Sequence, residues 1–107
     1  GKSSGELLVL SWGGVYGSVK SAVSSAQGIN LSVSHIHLRH LNPFPRNLGE
    51  LLLNFNKILI PELNMGQLLS IIRSKYLVDA KGLNKIAGKS FTSSEVLEKI
   101  ISILKEK

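Results

Sequence analysis

The chain has 107 residues, 43% of them hydrophobic, a formal net charge of +6 and no cysteine. That length suits one domain with one core; the apolar content excludes disorder, and no apolar run approaches the ~20 residues that span a bilayer. Without cysteine the chain has no disulfide, thiolate nucleophile or cluster ligand, which fits a reducing cytoplasm, and its scattered bases lack the interleaved aromatics of a nucleic-acid surface.

Residues 1–5, Gly1-Lys-Ser-Ser-Gly5, are polar and read as a linker or tag remnant, leaving 6–107 as a single domain. Glu6 to Trp12 reads as a strand, with Leu7, Leu8, Val9 and Leu10 too continuously apolar for a sheet covered on one side. Gly13-Gly14 turns the chain, and Val15, Val19, Ala22, Val23 and Ala26 follow at helical spacing, with Gly28 placed to end that helix. A second strand, Ser32 to Arg39, stops at Asn42-Pro43-Phe44-Pro45.

Asn47 and Glu50 form a capping box for a short helix whose inward stripe is Leu48, Leu51, Leu52 and Phe55. Lys57 to Ile60 is a third buried strand that runs into Pro61 and Glu62, and Asn64 with Gln67 caps the next helix, with Met65, Leu68, Leu69, Ile72 and Tyr76 facing inward. A fourth strand is expected from Leu77 to Lys81, ending at Gly82, and Leu83 to Phe91 is loop-like with a possible short edge strand. Thr92 and Glu95 cap the last helix, which carries Val96, Leu97, Ile100, Ile101 and Leu104, and Glu95 stands four residues before Lys99 in the favourable order. Strands alternating with helices imply a mostly parallel sheet covered on both faces, with a topological switch point near the first and third strands.

Several patterns resemble chemistry without completing it. Gly13-Gly14-Val-Tyr-Gly17 sits where a phosphate loop would, yet a dinucleotide fingerprint needs glycine in place of Trp12 and an acid in place of Arg39 and His40. Its glycines read instead as allowing a tight turn and close helix–sheet packing. Gly82 to Ser90 has five residues between its glycines where a P-loop has four, and no helix follows at once. His35 and His37 share one face of their strand with no carboxylate or cysteine beside them, and His40 falls on the turn; polar histidines at a sheet end or contact fit better than a metal site. No serine stands in Gly-x-Ser-x-Gly. Asn64, Gly66 and Gln67 are accounted for as a helix start. Glu62, a carboxylate closing a buried strand, needs a hydrogen-bond partner or a neighbouring chain.

Taken together, Leu10 to Gly17, His37 to Pro45, Ile60-Pro-Glu-Leu-Asn-Met-Gly-Gln-Leu68, Arg73 to Asp79 and Gly82 to Phe91 resemble the C-terminal domain of the α subunit of 2-oxoacid:ferredoxin oxidoreductases, in particular the 2-oxoglutarate (KorA-type) enzymes. The resemblance covers nearly the whole chain. It implies a three-layer α/β/α sandwich like the transketolase C-terminal domain, on a mostly parallel five-stranded sheet. One edge strand would be antiparallel, supplied in part by Leu83 to Ile86 or by the N-terminus.

By that resemblance the chain is a domain of a larger subunit. The holoenzyme would decarboxylate 2-oxoglutarate oxidatively with coenzyme A to succinyl-CoA and reduce ferredoxin, a step of the TCA cycle. Thiamine diphosphate, magnesium and an iron–sulfur cluster would be held outside this domain, which binds no cofactor or metal alone, has no catalytic residue, and meets neither nucleic acid nor membrane. Its role would be assembly, through contacts with the remaining α-subunit domains and a β subunit made by Gly13, Gly14, Pro43, Phe44, Pro45, Glu62, Asn64, Gly66, Gln67 and Asn84. Ala87 and Ser90 depart from the family's glutamine and proline. The alternatives are a stand-alone nucleotide- or coenzyme A-binding module and the equivalent domain of another thiamine enzyme.

Overall fold

The computed structural model describes residues 5–38, 48–63, 67–76, 80–85 and 91–105. The elements, in order, are β1 (Gly5–Trp12), a 3-10 turn (Gly13–Val15), α1 (Tyr16–Gly28), β2 (Val33–Leu38), α2 (Leu48–Leu53), β3 (Phe55–Leu63), α3 (Gln67–Tyr76), β4 (Ala80–Lys85) and α4 (Ser93–Lys105). The strands form a sheet in the order β2-β1-β3-β4, and every pair is parallel.

β1 lies between β2 and β3, which explains its unbroken apolar run: Leu7, Leu8, Val9 and Leu10 are all fully buried. Alternation sends Leu7 and Val9 to one face, with Leu59 of β3, against Val19, Ala22, Val23 and Ala26 of α1 and Val96, Ile100 and Ile103 of α4. Leu8 and Leu10 go to the other face, with Ile58 and Ile60, against Leu48 and Leu52 of α2 and Leu68 and Ile72 of α3. The result is three layers, with the predicted inward stripe of α1 buried at every position.

Several boundaries correct the sequence reading. Gly5 is a strand residue, not part of the leading linker. It pairs with Phe55, its N–H donates to Asn54 O, and a Cβ there would stand 2.7 Å from Ser32 Oγ, a hydroxyl that would have to turn away. Phe55 opens β3 and does not extend the α2 stripe, because that six-residue helix ends at Leu53 and Asn54 N–H closes its last turn on Leu51 O. Gly28 is the last residue of α1, but the left-handed residue that reverses the chain is Asn30, at φ 66°. Leu31 N–H then returns to Ala26 O.

The largest shift concerns β4. The fourth strand does not end at Gly82: its ladder on β3 continues from Ile58↔Ala80 through Ile60↔Gly82 to Leu63↔Lys85. Glycine weakens a strand but does not stop it where a partner ladder continues. Leu83 to Lys85 are therefore parallel to β3, not an antiparallel edge, and the described sheet has four strands where five were expected. Leu77 to Asp79, residues 86–90 and residues 1–4 lie outside the described residues.

Two polar ties brace the ends of the layers. The predicted capping box of α4 forms in full: Glu95 N–H donates to Thr92 Oγ1 (3.2 Å), and Thr92 N–H donates to Glu95 Oε1 (3.1 Å). Lys57 of β3 donates from Nζ to Ile103 O (2.7 Å), placing a cation at the C-terminal turn of α4. Ile100 sits at the centre of that helix's buried face, fully inaccessible. Ile100→Ala should lower the unfolding free energy by about 2–5 kcal/mol in urea denaturation; a loss near zero would show that α4 does not close this core.

Candidate functional site

The strand order reverses between β1 and β3, so the switch point expected from the sequence falls at their C-terminal ends, where open α/β sheets form a crevice. The β1–β3 ladder runs from Gly5↔Phe55 to Val9↔Leu59. Beyond it stands Pro61, which has no N–H to donate. Side chains occupy this place. Glu62, 1% exposed, accepts from Leu68 N–H (2.8 Å) and Trp12 Nε1–H (3.2 Å) through Oε1, and from Leu69 N–H (2.9 Å) through Oε2.

This corrects the expectation that Glu62 awaits another chain. Leu68 and Leu69 lie in the first turn of α3, whose opening N–H groups have no acceptor within the helix. A carboxylate accepts only, so three donors satisfy it, and the positive end of the α3 dipole adds to the attraction. Trp12 joins from β1, fifty residues away in sequence. Capping rules compare a residue with those two or three places on; a cap acting across six or seven positions with an indole from another strand has no local signature. The proposed Asn64 cap and Gly66 lie outside the described residues, and Gln67 is the first residue of α3.

On the opposite face the end of β1 carries a second polar group. Ser11, fully buried, places Oγ 2.7 Å from His35 Nε2 and 2.8 Å from His37 Nδ1 on β2. Ser11 pairs with His37 in the ladder, and strand alternation puts His35 on the same side. Tyr16, at the start of α1, packs against the pair, tilted to His35 with ring centroids 5.9 Å apart and edge-on to His37 at 5.0 Å, and Lys20 Nζ lies 5.6 Å from the Tyr16 ring. Burial, reinforced by the neighbouring His37, lowers the His35 pKa to about 4. The sequence placed the two histidines on one face; it did not indicate that Ser11 joins them. His40 lies outside the described residues.

The remaining expected contact residues are dispersed. Gly13 adopts φ 70° in the turn after β1, so the tight turn does need glycine, but a Cβ there would meet nothing within 4 Å and close helix–sheet packing is not its reason. Gly14 follows in the same turn, Asn84 lies in β4 opposite Glu62, and Pro43, Phe44 and Pro45 fall outside the described residues. The structure thus brings Glu62 to the turn region after β1 through Trp12, and adds Trp12, Ser11, His35 and His37 to the residues that shape this end of the sheet.

A three-layer parallel α/β domain whose switch point is bridged by Glu62 and Trp12 defines the class, and comparison with known proteins defines the family. The profile of the pyruvate:ferredoxin oxidoreductase core domain II matches residues 5–96, and the chain belongs to that family. It is 47% identical over 91 residues to the 2-oxoglutarate oxidoreductase subunit KorA of Mycobacterium tuberculosis, an alignment covering 85% of this chain and 14% of that protein. The chain therefore spans a small part of the length of its relative. The fold is shared with a 2-oxoglutarate:ferredoxin oxidoreductase from Magnetococcus marinus solved with 2-oxoglutarate, coenzyme A and succinyl-CoA bound, at a TM-score of 0.90 and 20% identity, over 98% of this chain and 19% of that one.

Two outcomes follow from the geometry. Glu62→Gln keeps the shape but turns an amide N–H₂ toward buried donors, and should cost about 1–3 kcal/mol in urea denaturation followed by the fluorescence of Trp12. A loss no larger than that of the surface change Glu6→Gln would show that the three bonds contribute nothing. His35, neutral in the folded chain below its ordinary 6.5, takes up a proton more readily when unfolded, so its contribution is full above pH 6.5 and is lost as pH falls toward about 4. Wild-type stability relative to His35→Gln should decline across that window; a constant difference would show ordinary protonation of His35.

Proposed function

We propose that the chain is a domain of the α subunit of a 2-oxoglutarate:ferredoxin oxidoreductase, and that its role is to hold other parts of the enzyme together. The observation that carries this reading is the 47% identity to the KorA subunit, within an alignment that takes up 14% of that protein. The complete enzyme would convert 2-oxoglutarate and coenzyme A to succinyl-CoA and CO₂ and pass two electrons to ferredoxin in the cytoplasm. Gly13, Gly14, Gln67 and Asn84, with Pro43, Phe44, Pro45, Asn64 and Gly66, are the positions assigned to contact with the remaining α-subunit domains and a β subunit.

Thiamine diphosphate, magnesium and the iron–sulfur cluster belong, on this reading, to those other parts. Glu62 does not fit either of the first two groups, because both of its oxygens are engaged by Leu68 N–H, Leu69 N–H and Trp12 Nε1–H. At 1% exposure it also gives a hydrated magnesium ion no open approach. No step of the reaction is assigned to a residue of this chain. No helix among the described residues is long and apolar enough to cross a membrane.

Co-expressed with the remaining α-subunit domains and the β subunit, the chain should co-purify with them, and the complex should reduce ferredoxin with 2-oxoglutarate and coenzyme A. Turnover of pyruvate but not 2-oxoglutarate would overturn the substrate. Unchanged assembly and turnover with the chain left out would overturn the assembly role. Submicromolar binding of coenzyme A or a nucleotide by the chain alone, measured by calorimetry, would favour a stand-alone binding module instead.

A further inference from the structure

The Ser11 hydroxyl, fully buried, stands within hydrogen-bond distance of two imidazole nitrogens, His35 Nε2 and His37 Nδ1. A hydroxyl has one hydrogen to give and two lone pairs to receive. If both rings donated to Ser11, its own hydrogen would need a third partner inside a closed site; if both presented bare nitrogens, one would go unserved. The arrangement that satisfies all three groups has Ser11 donating to one ring and accepting from the other.

We propose that His35, Ser11 and His37 form one proton-sharing unit, in which the two rings change tautomer together through the Ser11 hydroxyl and so pass a proton from one ring to the other. Ser11 meets Nε2 of one ring and Nδ1 of the other, so the coupling has a definite form. When Ser11 donates to His35 Nε2 and accepts from His37 Nδ1–H, both rings carry their hydrogen on Nδ1. When the roles reverse, both carry it on Nε2. The two rings always share the same tautomer, never opposite ones.

The transfer balances. A proton from water bonds to Nε2 of His37, His37 Nδ1–H passes its hydrogen to Ser11 Oγ, the Ser11 O–H passes its own to His35 Nε2, and the hydrogen on His35 Nδ1 leaves to water. One proton enters, one leaves, and no charge remains. Both rings are half-buried at the edge of the sheet, so the unit reaches from solvent to a closed interior point and back. Among the described residues, the titratable groups of α1 that face it are Tyr16, whose ring packs on both imidazoles, and Lys20, beyond that ring. Burial and the neighbouring His37 hold His35 in its neutral form, the form that the shared tautomers require. This inference stands on the chain's own geometry and is independent of the enzyme to which the domain belongs.

The test is the tautomeric state of the imidazoles in the ¹⁵N-labelled full chain at pH 7, read from long-range ¹H–¹⁵N correlations, with His40→Gln removing the third ring. The expected result is neutral rings at His35 and His37 with hydrogens on like-named nitrogens, or averaging in step between the two states. Ser11→Ala should uncouple them, and Ser11→Thr, which restores a hydroxyl, should recouple them. Opposite tautomers in the wild type would overturn the proposal, as would tautomers unchanged in folded Ser11→Ala. The wild-type spectrum alone decides it if Ser11→Ala does not fold.

Discussion

The structure depends on a buried carboxylate meeting the free end of a helix. A charged oxygen pair in a protein interior is costly unless donors surround it, and the first turn of a helix has N–H groups that need acceptors. Glu62 and α3 resolve each other's deficit, and the Trp12 indole adds a third donor from the neighbouring strand. The contact fixes where α3 begins relative to β3. It also ties β3 to β1 beyond their ladder pair Val9↔Leu59, at the place where an open α/β sheet ordinarily leaves room for a ligand.

The end of β1 does this on both faces. Trp12 sends its indole toward α3, and Ser11, one residue earlier, sends its hydroxyl to the two histidines of β2 beneath α1. Two consecutive side chains therefore join the central strand to both of its neighbours, one through a carboxylate and one through imidazoles. The apolar layers below are held by area and shape, which tolerate exchange among aliphatic residues. The polar crest above them is held by directional bonds, which specify position more closely.

The sequence conveyed the apolar layers well and the polar crest poorly, for a physical reason. Leu7 to Leu10, the stripe from Val15 to Ala26, and the Thr92–Glu95 box are signals written in neighbouring residues, and each appears in the structure where its pattern placed it. β4 was misplaced because Gly82 is a stop signal only in isolation, and the ladder with Ile60 to Leu63 continues past it. Phe55 was misassigned for a similar reason: its apolar character suited either a helix stripe or a strand start. Glu62 stood out as unexplained, but its partners were a helix start six residues on and a tryptophan fifty residues back. Ser11 gave no hint at all, since a single serine at a strand end resembles any other.

The position of β1 has a consequence for how the chain is made. It comes first in the chain among the four described strands and lies between two others, pairing with β2 only after α1 and with β3 only after α2. Until both crossovers are complete, the run Leu7-Leu-Val-Leu10 has no ladder on either edge and no helix on either face. Contacts this far apart in sequence form late, and an unpaired apolar strand invites association between chains. The same strand that anchors the finished domain is thus its point of greatest exposure during synthesis, when prompt shielding of a nascent segment matters more than final stability.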